Sequence, residues 1–118
     1  MIEVTAADHD RILAYTSHLP QLISTALAAT VAIQKDVAGN QMFGPGLLDM
    51  TRLALSPPEL WTSIVATNKA EILAALEAYT ATLADLKRAV TDDDLTALFQ
   101  TSTEFSRRIR NLCFVTGK

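Results

Sequence analysis

The residues best suited to bind a ligand lie in one stretch, residues 43–64, which reads FGPGLLDMTRLALSPPELWTSI. Gly44 and Gly46 flank a proline there, and a glycine carries no Cβ that would keep a ligand away from the backbone. Arg52 follows in a predicted short helix, and Trp61, the only tryptophan, lies one turn into the next. A guanidinium binds a carboxylate through two parallel hydrogen bonds. An arginine, an indole and a glycine loop at one helix corner therefore predict a pocket for a small carboxylate.

The two histidines lie in polar motifs near the N-terminus, His9-Asp10 and the run from Ser17 to Gln21. His18 and Gln21 are three residues apart, so they share a helix face beside a proline, where a carbonyl is freed from the helix. Ser17 and His18 are not a nucleophile and its base, because neighbouring side chains of a helix point away from each other. No other histidine or acid stands at ligand-like spacing from His18, so we predict no metal site.

Each of these residues taken alone also has an ordinary structural explanation. His18 fits a hydrogen-bonded histidine at a helix bend, and Trp61 fits a core residue. Asp49 and Arg52 fit an exposed ion pair on one helix, which contributes little stability. A ligand site is indicated only by their combination.

The N-terminal third predicts one long helix. A capping box at Thr5–Asp8 begins it, and apolar residues return at steps of three and four as far as Val37. Gly39-Asn40 is the predicted stop. Pro20 removes one backbone hydrogen bond inside this pattern, so we expect a kink near residues 16–18 and not two separate helices.

The remainder of the chain also has helical periodicity. Ser56 is predicted to cap a second short helix, and Asn68 with Glu71 to cap a long helix that runs to about Val90. Thr91–Asp94 then caps the last helix, whose predicted buried face consists of Leu95, Leu98, Phe99, Ser102, Phe105, Ile109 and Leu112. No segment alternates with a period of two. The prediction is therefore an all-α fold of about five to six helices in a single helical domain, residues 1–118.

The composition indicates a protein with a large apolar surface. The 118 residues are 49% hydrophobic and the mean hydropathy is +0.21, which is high for a soluble domain of this size. We expect part of that surface to face a second copy or a missing domain. The stretch 21–38, rich in alanine and poor in charge, is the first candidate for that interface.

Charge and motifs exclude several classes of function. The net charge is −3 and no basic block is longer than Arg107-Arg108, so we predict no nucleic-acid partner. No glycine-rich phosphate loop follows a strand, so we predict no cofactor in this chain. The lone Cys113 excludes an internal disulfide and fits a reducing compartment. Because no apolar run is long enough for a bilayer and no signal pattern begins the chain, we expect a cytoplasmic protein with no membrane partner.

The motifs described above, in their order and spacing, resemble the C-terminal helical domain of prephenate and arogenate dehydrogenases, the enzymes of tyrosine biosynthesis. The resemblance spans about Thr5 to Asn68. It is carried by His9-Asp10, by Ser17-His18-Leu19-Pro20, by Gly44-x-Gly46 leading to Asp49-Met50-Thr51-Arg52-Leu53-Ala54, and by Ser56-x-Pro58-x-x-Trp61.

The resemblance implies an intertwined homodimer and a separate nucleotide-binding dehydrogenase domain, which carries NAD or NADP and the principal catalytic histidine. It implies that Arg52 pairs with a carboxylate of prephenate or arogenate. By the same resemblance Trp61 and Asp10 belong to a gate around that arginine, with Asp10 reaching in from the partner subunit, and His18 lines the pocket. No catalytic residue is assigned to this chain.

The sequence departs from the family pattern at three positions. Family members often have histidine where this chain has Gln21, a position that contacts substrate or the inhibitor tyrosine, so substrate preference or feedback inhibition would differ. In the loop whose backbone would approach the substrate, Pro45 stands between Gly44 and Gly46 and removes an amide donor. A basic residue common before the aspartate is Leu48 here.

Three functions remain open at this stage. The first is the substrate-pocket and dimerisation half of a prephenate or arogenate dehydrogenase, inactive without its cofactor domain. The second is a stand-alone regulatory module that binds an aromatic amino acid or related carboxylate. The third is a structural helical adaptor. The first two differ in whether the chain is an excised part or a natural protein that has lost the chemistry.

Overall fold

The computed structural model describes residues 4–37, 39 and 41–115, and within these the chain is helical and contains no strand. The described helices are α1 (Ala6–Leu13), α2 (Leu19–Ala32), α3 (Pro45–Thr51), α4 (Pro58–Thr67), α5 (Lys69–Thr91) and α6 (Thr96–Val115). A π-helical segment, Ala14–His18, joins α1 to α2, and a 3-10 turn, Arg52–Leu55, follows α3. The predicted all-α fold is confirmed.

The first helical run begins as predicted. The Thr5 hydroxyl oxygen accepts a hydrogen bond from the Asp8 amide at 3.1 Å, and α1 starts at Ala6. The π-helical segment occupies the place where the kink was expected, and the Leu19 amide there bonds to the Ala14 carbonyl, five residues back. Because Pro20 has no amide hydrogen, the helix cannot keep its regular pattern here, and the wider turn lets it continue.

The end of this run was predicted five residues too late. Helix α2 ends at Ala32, and the Gln34 amide bonds to the Val31 carbonyl in a turn. Asp36 has a φ of 65°, which a right-handed helix cannot accommodate. Ile33 is 81% exposed, so its apolar side chain does not continue the helix stripe. Of the predicted stop Gly39-Asn40, the asparagine lies outside the described residues, as does Ala38 of the predicted interface stretch.

Two predicted helix caps have other roles. Pro57, and not Ser56, occupies the N-cap position of α4, and no side chain caps that helix. Asn68 does precede α5, but its side-chain amide donates to the Asp10 carbonyl at 2.8 Å. At α6, the Asp94 carboxylate accepts from the Thr96 amide at 3.2 Å, as a capping acid should. The Ser56 hydroxyl donates to the Gln21 side-chain oxygen at 3.2 Å, so both Ser56 and Asn68 bond to groups distant in the sequence.

The chain divides into two compact units, Met1–Glu77 and Ala78–Lys118. In the first unit, Ala14, Ile72 and Ala75 are buried to within 2% of complete. Leu19, Leu22, Val65 and Leu76 pack against them. Two of the three central residues are alanines, so the fully buried side chains at this core are small.

The second unit has no buried side chain among its described residues. Most of its large apolar side chains are exposed, and they include most of those predicted to form the buried face of α6, although Leu98 is half-buried. They are Leu83, Leu86, Val90, Leu95, Phe99, Phe105, Ile109 and Leu112. Periodicity identifies which side chains share a face but not whether the same chain covers them, so the prediction of burial does not hold within one chain. No helix in the described part of the chain is long and apolar enough to cross a membrane.

We expect Ala75→Leu to lower the free energy of unfolding by about 1–3 kcal/mol, because a buried alanine at a close helix contact leaves no room for a larger side chain. The matched control is Ala74→Leu, which changes the neighbouring exposed position of the same helix. The measurement is urea unfolding followed by circular dichroism at one fixed protein concentration. Equal losses in both variants would contradict the described core.

Candidate functional site

Three buried polar side chains lie on one face of the first helical run. They are His18, Gln21 and Ser24, exposed by 9%, 6% and 4%, and we call them the polar seam. Their spacing of three places them on successive turns of one helix face. Each is hydrogen-bonded to a residue 30 or more positions away. A buried polar group without a partner would be costly, so these bonds specify which segments pack on this face.

The middle of the polar seam holds the 3-10 turn that begins with Arg52. The Gln21 amide nitrogen, Nε2, donates to the Leu53 carbonyl at 2.6 Å. The Ser56 hydroxyl donates to the Gln21 oxygen, Oε1, at 3.2 Å, and the Ser24 hydroxyl oxygen accepts from the Ala54 amide at 3.1 Å. Two side chains of α2 thus hold the turn at Leu53 and Ala54 and hold Ser56 at its end.

The N-terminal end of the polar seam joins three other segments. The Asn68 side-chain nitrogen lies 3.4 Å from His18 Nδ1 and also donates to the Asp10 carbonyl. Because an amide nitrogen only donates, this contact requires His18 to carry its ring proton on Nε2. The Trp61 indole meets the imidazole edge-on, with ring centroids 5.9 Å apart and planes at 82°. His18 is therefore fixed in position and tautomer.

A cavity of about 570 Å³ lies between α2 and α4, beside the polar seam. Trp61, Leu22 and Val65 supply apolar wall, while Gln21 and Ser56 supply polar atoms. No charged side chain is among its lining residues. This surface can receive an uncharged ring with a few hydrogen-bonding groups.

A second cavity, of about 260 Å³, lies between α2 and α3. Its lining includes Val31, Phe43 and Leu47, and Thr51 is its one polar contributor. It offers no partner for a carboxylate. The cavity beside the polar seam has more polar lining residues, Gln21, Thr25, Ser56 and Thr62, so it is the better candidate for a ligand that forms hydrogen bonds.

The structure brings together only part of the predicted site. His18, Gln21 and Trp61 meet beside the cavity, and Asp10 reaches this cluster through its backbone carbonyl. The Asp10 carboxylate is exposed and lies 3.5 Å from His9 Nδ1. The remaining predicted residues do not line the cavity.

Arg52 lies two residues before Ala54, which lines the cavity, but Arg52 itself is not a lining residue. Its side chain is exposed and, within the described residues, forms no ion pair, with Asp49 or with any other acid. The expected surface pair is therefore not observed. Gly44 precedes α3 and Gly46 lies in its first turn, and a Cβ built on either would meet nothing within 4 Å. Arg52 is thus exposed, and both glycines have open space on the side where a Cβ would stand.

Sequence reasoning missed Ser24 and misassigned Ser56 and Asn68 as helix caps. Ser24 had a usable signal, because His18, Gln21 and Ser24 repeat every three residues in a stretch of low charge. Ser56 and Asn68 had none, since a cap and a long-range donor have the same residue type at the same place. Among the described residues, no group of three or more histidines, cysteines or acids could hold a metal ion.

We expect Asn68→Ala to lower the free energy of unfolding by about 1 kcal/mol, because it removes both bonds that join His18 and Asp10 to the start of α5. The ¹⁵N shifts of His18 should show the Nε2-protonated tautomer in the wild type and a mixture in the variant. Thr67→Ala is the control, since that hydroxyl bonds only to the Ile64 carbonyl within α4. Unchanged His18 shifts in Asn68→Ala would contradict the assigned contact.

Comparison with known proteins supports one family. Residues 5–104 match the family model described as prephenate dehydrogenase, dimerization domain. Cyclohexadienyl dehydrogenase of Zymomonas mobilis is 34% identical over 94 residues, which cover 77% of this chain and 32% of that protein. Prephenate dehydrogenase of Bacillus subtilis is 24% identical over 101 residues, which cover 84% of this chain and 27% of that protein. The chain thus spans about a third of the length of these curated relatives.

Solved structures agree with this match. Arogenate dehydrogenase of Synechocystis has a TM-score of 0.82 and 28% identity, over 90% of this chain and 41% of that chain. Prephenate dehydrogenase of A. aeolicus, in complex with hydroxyphenyl propionate and NAD+, has a TM-score of 0.76 and 26% identity, over 95% of this chain and 40% of that chain. Because the family match extends over residues 5–104 of the 118, the chain belongs to the prephenate dehydrogenase dimerization domain family.

Proposed function

We propose that this chain is the helical dimerisation and substrate-binding domain of a prephenate or arogenate dehydrogenase, an enzyme of tyrosine biosynthesis. The observation that carries the proposal is the polar seam, which holds the Arg52 turn and Trp61 against one helix in a chain of this family. The similar A. aeolicus enzyme was solved with hydroxyphenyl propionate and NAD+, a ring carboxylate and a dinucleotide.

Arg52 is the residue proposed to bind the carboxylate of prephenate or arogenate. Its guanidinium is exposed and, in the described part of the chain, unpaired, so a carboxylate would not have to displace an internal partner. The uncharged wall near Trp61 and Gln21 suits the ring of the same ligand. His18 contributes an Nε2–H donor to this neighbourhood, since Asn68 occupies its Nδ1.

Gly44, Gly46 and Asp10 complete the proposed binding surface. The glycine loop leaves its backbone open on the side where a Cβ would stand, so a ligand could approach it closely. The Asp10 carboxylate is exposed and is proposed to reach the pocket of the partner subunit. Tyrosine carries the same ring and carboxylate, so it is proposed as a competing ligand.

The reaction requires a second domain. Prephenate or arogenate dehydrogenation transfers a hydride to NAD or NADP and releases carbon dioxide, so ring substrate and nicotinamide must be held together. The described residues of this chain do not fit a dinucleotide, because its glycine loop follows no strand. We therefore assign the cofactor to a nucleotide-binding dehydrogenase domain and no catalytic residue to this chain.

The partner proposed for the exposed apolar faces is a second copy of the chain. Large apolar side chains along α5 and α6, such as Leu86, Phe99 and Ile109, are exposed in one chain. Contiguous apolar surface of this kind marks a protein interface. The family model matched by residues 5–104 is that of a dimerization domain, so a homodimer is the simplest way to cover it.

The isolated chain is expected to sediment as a dimer at micromolar concentration in analytical ultracentrifugation. Phe99→Asp should shift it toward monomer, because a carboxylate would be placed in an apolar interface. Thr82→Asp, an exposed position whose hydroxyl bonds only within α5, tests whether any added charge has this effect. A wild-type monomer at that concentration would contradict the proposed homodimer.

The chain alone is expected to bind prephenate, arogenate or tyrosine in calorimetric titrations and to turn over neither substrate with NAD or NADP. Arg52→Ala should weaken binding roughly 10- to 100-fold, because a hydrogen-bonded charge pair is lost. Arg88→Ala is the control with the same change of charge, since Arg88 pairs with Asp85 on its own helix.

The titrations also separate the three functions considered above. Turnover by the isolated chain would overturn the proposed division of labour. Tight, saturable binding of tyrosine without binding of either substrate would favour a regulatory module. Binding by neither the wild type nor Arg52→Ala would leave a scaffold without a ligand site.

A further inference from the structure

We propose that Gln21 is a positioning residue: its side-chain amide fixes the turn that carries Arg52 and acts on a bound carboxylate through that arginine. The inference rests on the proposed role of Arg52 as the carboxylate ligand. It departs from the expectation drawn from the resemblance, in which the side chain at this position contacts the substrate or tyrosine directly.

The hydrogen bonds around Gln21 close a small ring. Its Nε2 donates to the Leu53 carbonyl, which also accepts from the Ser56 amide at 3.1 Å. The Ser56 hydroxyl donates back to Gln21 Oε1. One amide therefore ties both the residue after Arg52 and the residue that ends the 3-10 turn. A change at Gln21 removes two attachments of this turn at once.

The Ser24 bond alone cannot replace these attachments. It holds the turn at one point, the Ala54 amide, and a segment held at one point can still rotate about it. The two Gln21 bonds lie on either side of that point in the chain. Together the three bonds fix the orientation in which Arg52 leaves the turn. A bidentate contact with a carboxylate depends on that orientation.

A direct role for Gln21 is less compatible with its surroundings. The side chain is 6% exposed, and both its nitrogen and its oxygen are already bonded within the protein. One of the two N–H groups on Nε2 is committed to the Leu53 carbonyl at 2.6 Å, and that bond holds the amide in its present orientation. One N–H and one lone pair of the Gln21 amide are used by the turn, and the low exposure of the side chain leaves its remaining capacity little access to a ligand in the cavity.

The test uses two variants of the 118-residue chain with different severity. Gln21→Leu removes both bonds at similar volume, and Ser56→Ala removes only the hydroxyl bond. The matched control is Gln34→Leu, because Gln34 is exposed and its amide bonds only to the Thr30 carbonyl nearby. The first measurement is amide hydrogen exchange at Ala54 and Ser56 without ligand. The second is calorimetric titration with hydroxyphenyl propionate and with its neutral carboxamide.

We expect both amides to exchange at least about tenfold faster in Gln21→Leu, less so in Ser56→Ala, and at the wild-type rate in Gln34→Leu. The wild type should prefer the acid to the carboxamide by about tenfold or more, and Arg52→Ala should lose that preference. Gln21→Leu should reduce the preference toward that of Arg52→Ala, and Ser56→Ala should reduce it partway. A change of general stability alone would not alter the ratio of acid to carboxamide affinity.

Three outcomes would overturn the inference, and each differs from failure of the proposed function. Unchanged exchange in Gln21→Leu shows that the amide does not fix the turn, whether or not a ligand binds. An unchanged acid preference in Gln21→Leu, with loss in Arg52→Ala, shows that Arg52 acts without it. Loss of affinity for both acid and carboxamide in Gln21→Leu, with wild-type behaviour of Ser56→Ala, shows direct contact. If the wild type shows no acid preference, the proposed Arg52 site fails, and the exchange rates alone decide whether Gln21 fixes the turn.

Discussion

The constraint on which this structure depends is that the buried polar groups of one apolar helix must find hydrogen-bonding partners. Gln21 and Ser24 lie in an alanine-rich run of low charge, where a polar side chain that loses water without a partner destabilises the fold. Their partners are backbone groups at Leu53 and Ala54, more than two dozen residues away. Apolar packing would bring these segments near one another in many ways. The polar bonds select one of them, and that one carries Arg52.

The hydrogen bonds of Gln21 and Ser24 matter more here because the apolar core is small. Only Ala14, Ile72 and Ala75 are buried apolar residues in the described part of the chain, although 49% of the sequence is hydrophobic. A core made largely of alanine permits close helix contacts but withdraws little apolar area from water, so it stabilises weakly. Many of the large apolar side chains that are exposed lie on α5 and α6, where a single chain does not cover them. Formation of the proposed homodimer would then also stabilise the fold, because the apolar surface on α5 and α6 would be buried only in the dimer.

The sequence alone was sufficient for what is set by local chemistry. The capping box at Thr5 fixed the start of α1, and the periodicity of apolar residues identified an all-α chain. It was insufficient where a residue type serves two purposes. Ser56 and Asn68 are good helix caps, yet their side chains contact Gln21 and His18, which are distant in the sequence. A buried polar group without a partner costs more free energy than an exposed helix end, which water can hydrate. The end of α2 was misjudged for a related reason, since apolar Val37 continues the stripe but the backbone turns away before it.

The same bonds bear on the difference between Gln21 and the histidine that the sequence resemblance leads us to expect at this position. A glutamine offers a donor and an acceptor on one rigid amide, and here the two point to Leu53 and Ser56. An imidazole has the same two functions only as one neutral tautomer, and it loses its acceptor when protonated. At a buried position that must both donate and accept, an amide keeps the turn fixed at every pH at which the protein folds. The absence of a titrating group at this position keeps the turn defined, which is the property that the proposed recognition of a carboxylate by Arg52 requires.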